Sequence, residues 1–111
     1  MNDVKGVLIE DFENHLKMII IKYNELKESF LITNQLVWSD LRALDLILSF
    51  LVNYTGIKKS EFLELLNNFK TCLNYLKNDA SLSANSILKE LIYYVTSFEK
   101  KCLYRFNTIF N

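Results

Sequence analysis

His15 is the only histidine of the chain, and with Cys72 and Cys102 it could do acid–base or nucleophilic work near neutral pH. Asp11 stands four residues before His15, a helical spacing at which a carboxylate can orient an imidazole. Both cysteines fall on the apolar stripes of predicted helices, where a thiol stays protonated and inert. The spacing therefore predicts a half-exposed structural histidine and two buried thiols. A di-metal carboxylate bundle needs Glu-x-x-His pairs on two helices, which a single histidine cannot supply. Glu10 with Glu13, and Glu61 with Glu64, read as solvated pairs. Two cysteines without CxxC spacing predict neither a zinc site nor a disulfide framework. Glycine occurs only as Gly6 and Gly56 and proline is absent, so phosphate-cradling loops and tight β-hairpins are nearly excluded. The expectation is a protein that is not an enzyme and takes no cofactor and no metal.

The elements that would position these residues follow from apolar periodicity. The 111 residues are half hydrophobic and 23% charged, which fits one globular domain spanning 1–111. Turn-like residues at Thr33-Asn34-Gln35, at Thr55-Gly56 running into Ser60, and from Asn78 to Ser83 divide the chain into four helical lengths. The first runs from about Asp3 to Ile32, with Leu8, Phe12, Leu16, Ile19, Tyr23, Leu26 and Phe30 on one stripe. The second follows Ser39, an N-cap choice, to about Tyr54, with Gly56 placed for a left-handed C-terminal residue. It is apolar nearly all round apart from the line Arg42, Asp45, Ser49 and Asn53, a pattern that predicts burial on most sides. An Arg42–Asp45 ion pair at i,i+3 accounts for the start of that line.

The third helix begins at Ser60 and carries Phe62, Leu65, Leu66, Phe69, Cys72, Leu73 and Leu76 on its core stripe. The fourth runs from Ser83 or Asn85 to about Ile109, with Ile87, Leu91, Tyr94, Val95, Phe98, Cys102, Phe106 and Ile109. Four amphipathic helices with short connections predict an all-α antiparallel four-helix up-down bundle, with two long and two shorter helices. In architecture such a bundle resembles the histidine phosphotransfer domains. Those place lysine three residues after the histidine and small residues beyond. His15-Leu16-Lys17-Met18-Ile19 departs on both counts, so the resemblance implies no phosphotransfer. Trp38, in Leu36-Val37-Trp38-Ser39-Asp40, is similar in position to the tryptophan of small helical type VII secretion substrates. Their glycine two residues on is Asp40 here, and Trp38 is read instead as a hydrophobic staple over the start of its helix.

Apolar residues remain once these stripes are spent. Val7, Met18, Ile21 and Ile32 lie off the stripe of the first helix. On the fourth, Ile92, Leu103 and Phe110 flank the stripe, while Tyr93 and Tyr104 lie on its polar side. A small domain that cannot cover aligned apolar side chains tends to use them as an interface. Burying three of them contributes about 5 kcal/mol before association costs, at roughly 1.5–3 kcal/mol each. Met18, Ile21, Tyr93, Leu103 and Tyr104 are accordingly the expected partner-binding residues. The expected partner is another protein or the chain itself, most simply as a homodimer, and the function is that of a small adaptor, inhibitor, immunity factor or chaperone.

Charge adds little. Thirteen Lys+Arg balance thirteen Asp+Glu, so the whole chain has no field to attract nucleic acid. Residues 1–56 carry five basic and eight acidic side chains and residues 57–111 the reverse, eight and five, an asymmetry that could steer antiparallel contact. Lys89, Tyr93, Lys100, Lys101 and Tyr104 form a basic and aromatic strip, which makes a nucleic-acid-associated regulator the alternative. No apolar run approaches the roughly 20 residues that span a bilayer, and no secretory h-region is evident near residue 1. A cytoplasmic protein without membrane association is expected.

Overall fold

A computed structural model describes residues 10–33, 38–54, 57–78 and 85–110, with side chains over 13–30, 41–54, 57–78 and 86–106. These residues form four α-helices: α1 (Glu10–Thr33), α2 (Trp38–Val52), α3 (Lys59–Asn78) and α4 (Asn85–Phe110). At 1.5 Å per residue, α1 and α4 reach about 36 and 39 Å, against about 22 Å for α2. The bundle is correspondingly elongated, 46 × 21 × 20 Å.

Side-chain pairs fix the helix directions. Lys22 meets Glu90 and His15 meets Lys101, so α1 and α4 run antiparallel. Glu13 accepts from Tyr54 and Lys27 reaches Asp45, which sets α2 antiparallel to α1. Lys59 lies over the Phe106 ring and Lys70 pairs with Glu99, so α3 and α4 are antiparallel too. The close backbone packing runs α1 to α4, α4 to α3 and α3 to α2, while α1 and α2 approach each other least among neighbouring helices.

The core is built from the expected stripes. Leu16, Ile19, Tyr23, Leu26 and Phe30 of α1 are buried, as are Phe62, Leu66, Phe69, Leu73 and Leu76 of α3. From α4 come Leu91, Val95, Phe98, Cys102 and Phe106, together with Leu88, which the predicted stripe omits in favour of Ile87. Ile87 and Tyr94 only pack against the edge of this cluster. Leu88 precedes Leu91 and Val95 by three and seven residues, so it sits at the centre of the buried arc and Ile87 at its margin. Phe62 meets Phe98 edge-on with centroids 6.0 Å apart, and Tyr23 meets Phe69 at 5.8 Å. No described buried side-chain N or O atom lacks a hydrogen-bond partner.

Several sequence-based expectations are corrected. α2 begins at Trp38, so Ser39 lies inside the first turn rather than before it. α3 begins at Lys59, and the Phe62 amide donates to the Lys58 carbonyl at 2.9 Å, which gives Lys58 the capping position expected of Ser60. α2 ends with both the amide and the side chain of Asn53 donating to the Ser49 carbonyl. Cys72 and Leu65 are half-buried and pack against the edge of the core rather than within it, which leaves Cys102 as the buried thiol. The staple proposed for Trp38, the Asp11 partner of His15 and the glycine at position 56 lie outside the described side chains, as do Leu8, Phe12 and Ile109.

The largest correction concerns α2. Leu41, Leu44, Leu48 and Leu51 enter the core, but Leu46, Phe50 and Val52 stay exposed. A four-helix bundle encloses one face of each helix, so a helix that is apolar all round keeps an apolar outer side when nothing covers it.

Candidate functional site

Two apolar surfaces lie on opposite sides of the bundle. The first is the outer face of α1 and α4. The Lys22–Glu90 pair at 2.9 Å and the His15–Lys101 contact at 2.7 Å mark the line where these helices meet. Glu90 and Glu25 together hold the Lys22 ammonium above its ordinary pKa, Glu90 most strongly. Met18 and Ile21 are exposed beside this line on α1. Tyr93 and Tyr104, three residues after Glu90 and Lys101, stand on the same outer side of α4, 68% and 72% exposed. The Tyr93 ring packs edge-on to Tyr94 at 5.9 Å, which steadies it in place.

Leu103 is exposed as well, but it follows Glu99 by one turn, and Glu99 pairs with Lys70 on α3. It therefore sits on the other flank of α4, apart from the other four. Ile92 on that flank is half-buried against the core, and the side chain of Phe110 lies outside the described residues.

The second surface joins α2 and α3, and the sequence reading passed over it. Leu46 and Phe50, one turn apart on α2, are 59% and 50% exposed. Beside them a groove of about 450 Å³ is lined by Phe50, Ile57, Glu61, Glu64, Leu65 and Asn68. Tyr75, further along α3, is also exposed. The all-round apolarity of residues 38–52 was the available signal. It points equally to burial and to an exposed apolar face, and the neighbours of α2 decide between them.

Between α1 and α2 the wider spacing is bridged by polar side chains. The Tyr23 hydroxyl donates to Asp45 Oδ1 at 2.6 Å and lies 3.0 Å from the Leu41 carbonyl. Lys27 Nζ pairs with the same Asp45 oxygen at 3.1 Å. Asp45 is thus engaged across the groove, and the Arg42–Asp45 pair expected from the sequence does not form. Asp45 and Ser49, with Asn53, edge an open cleft floored by Ile20, Leu48 and Val52. The predicted polar line on α2 is therefore the rim of the α1–α2 groove, with Arg42 outside it.

Reactive groups are few. Lys101 is a cationic donor, so His15 Nε2 accepts its hydrogen bond, and the imidazole packs against Phe98 at 6.0 Å. Burial pushes the Cys102 thiol up to about 12, with the Glu99 charge adding to it. Among the described residues no group of three or more His, Cys, Asp or Glu could hold a metal. No helix among them is long and apolar enough to cross a membrane. Comparison with protein-family models, with curated proteins and with solved structures finds no match.

Proposed function

We propose that this chain is a non-catalytic protein-binding module whose working surface is the outer face of α1 and α4. The observation that supports it is the grouping of Met18, Ile21, Tyr93 and Tyr104, all exposed, along one helix–helix seam. Tyrosines present a large rigid contact area at low entropic cost, and aliphatic neighbours supply the dry centre that such contacts need. The Lys22–Glu90 pair and Lys101 give this centre a polar rim. A small adaptor, inhibitor, immunity factor or chaperone acting in the cytoplasm has this construction, with Leu103 as a peripheral contact.

A photo-reactive residue at Tyr93 tests the proposal in living cells. It should trap one dominant protein, and Ile21→Asp should abolish the product while helicity is kept and Lys77→Glu, exposed on α3, has no effect. Equal trapping by the wild type and Ile21→Asp would remove the basis for the reading. The alternative is a nucleic-acid role, for which Lys89, Lys100, Lys101 and Arg105 stand exposed on α4 with the two tyrosines, against no net charge on the chain as a whole. It would declare itself by binding that weakens steeply between low and physiological salt.

A further inference from the structure

On the opposite side of the molecule, we infer that the exposed α2–α3 face is a self-association surface that takes a second copy of this chain in antiparallel, two-fold fashion. This rests on the reading that exposed apolar faces here are contact surfaces, and it extends that reading from α1–α4 to α2–α3.

The argument is one of charge placement around an apolar centre. Arg42, Leu46 and Phe50 recur at four-residue intervals along the outer side of α2, all exposed. Arg42 lies about 12 Å from Phe50 at 1.5 Å per residue. Glu61 and Glu64 line the groove at the Phe50 end. The face therefore carries a cation at one end, two carboxylates at the other and apolar side chains between. Among the described residues neither Arg42 nor Glu61 nor Glu64 makes an ion pair. Rotating a second copy by 180° about an axis that lies in the contact plane beside Leu46, perpendicular to α2, lays the two α2 helices antiparallel. Leu46 then meets Leu46, each Phe50 comes opposite the other copy's Arg42, and each Arg42 faces the groove at the other's Phe50 end, which Glu61 and Glu64 line. A parallel arrangement would instead set Arg42 beside Arg42 and the carboxylates beside each other. A self-complementary patch of this kind is what a two-fold interface requires.

The patch is modest. A strip about 22 Å long and two helices wide offers on the order of 500 Å² per copy, at the low end for a specific interface. Association should therefore be reversible, with a dissociation constant in the micromolar range. It leaves the α1–α4 face of both copies free.

Sedimentation equilibrium of the full chain over a wide concentration range tests this. The wild type should pass from monomer to dimer, and Leu46→Asp should stay monomeric with its helicity unchanged. Arg42→Glu should weaken the dimer by about fivefold or more, through loss of attraction and new repulsion. Adding Glu61→Lys and Glu64→Lys to Arg42→Glu should restore it to within about twofold of the wild type. The charge-reversal set keeps the test decisive if Leu46→Asp fails to fold, because all three sites are solvent-exposed. A wild type that stays monomeric at all concentrations overturns the inference and leaves the photo-trapping result at Tyr93 unaffected. A dimer that ignores Arg42→Glu but dissociates on Ile21→Asp also overturns it, by moving self-association to the α1–α4 face.

Discussion

The phenol of Tyr23 reaches across the α1–α2 pair, the most loosely packed of the neighbouring helix pairs, and donates to Asp45 at 2.6 Å. Its ring is buried between helices, against Phe69. Burial, reinforced by the Asp45 hydrogen bond and charge, holds its pKa far above that of an ordinary tyrosine. This one side chain fills core volume and ties α2 to α1 where the backbones stand apart. Tyr23→Phe keeps the ring and removes the tie, and should cost about 1–2 kcal/mol of stability. In a double-mutant cycle by chemical denaturation, Tyr23→Phe and Asp45→Ala should couple by about 1 kcal/mol, and strict additivity would show that the bond contributes nothing.

Alkaline pH should destabilise the fold in two stages. The Cys102 thiol is raised from 9.0 to about 12 in the folded state. Above pH 9 the unfolded chain therefore releases a proton that the folded chain keeps. The stability that Cys102 contributes is complete below pH 9 and is lost as pH rises toward 12, by up to about 1.4 kcal/mol per pH unit. Tyr23 and Tyr54, both shifted upward mainly by burial, add losses of the same sign from about pH 10. Cys102→Ala should flatten the slope between pH 9 and 10 whatever its effect on absolute stability. An unchanged slope would show that the thiol ionises as readily when folded as when unfolded.

His15 should carry its proton on Nδ1 when neutral, since Lys101 can only donate and occupies Nε2 at 2.7 Å. Nitrogen-15 NMR of the imidazole distinguishes the two tautomers directly. Lys101→Met should lower the share of the Nδ1–H form. Dominance of the Nε2–H form in the wild-type protein would contradict the contact.

Ile21 and Leu26 lie five residues apart on α1 and should respond oppositely to truncation. Leu26 is fully buried, so Leu26→Ala should cost about 2–5 kcal/mol. Ile21 is 42% exposed on the far side of the helix, and Ile21→Ala should change stability by about 0.5 kcal/mol or less. A large loss at Ile21 would place it in the core and withdraw it from the α1–α4 face.

How much of this was readable in advance differs from helix to helix. The α3 stripe at Phe62, Leu66, Phe69, Leu73 and Leu76 stands in the core as its spacing required. The α4 stripe needed Leu88 for Ile87, a shift of one position within the same arc. The exposure of Met18, Ile21, Tyr93 and Tyr104 also follows from spacing, because each falls outside its helix's buried arc. The separation of Leu103 from them does not, since it depends on α3 lying against that flank of α4.

The amino-acid order alone determined four helices and the inward side of three of them. Helical periodicity is a local property, and an apolar arc must turn away from water whatever it meets. Lateral neighbours are not local. That Asp45 answers Tyr23 and Lys27 instead of Arg42, that Cys72 stands half outside the core, and that α2 keeps Leu46 and Phe50 in solvent were decided only when the helices took their places. A helix apolar on every side has no preferred inward face of its own, so its outer surface is whatever its neighbours leave uncovered.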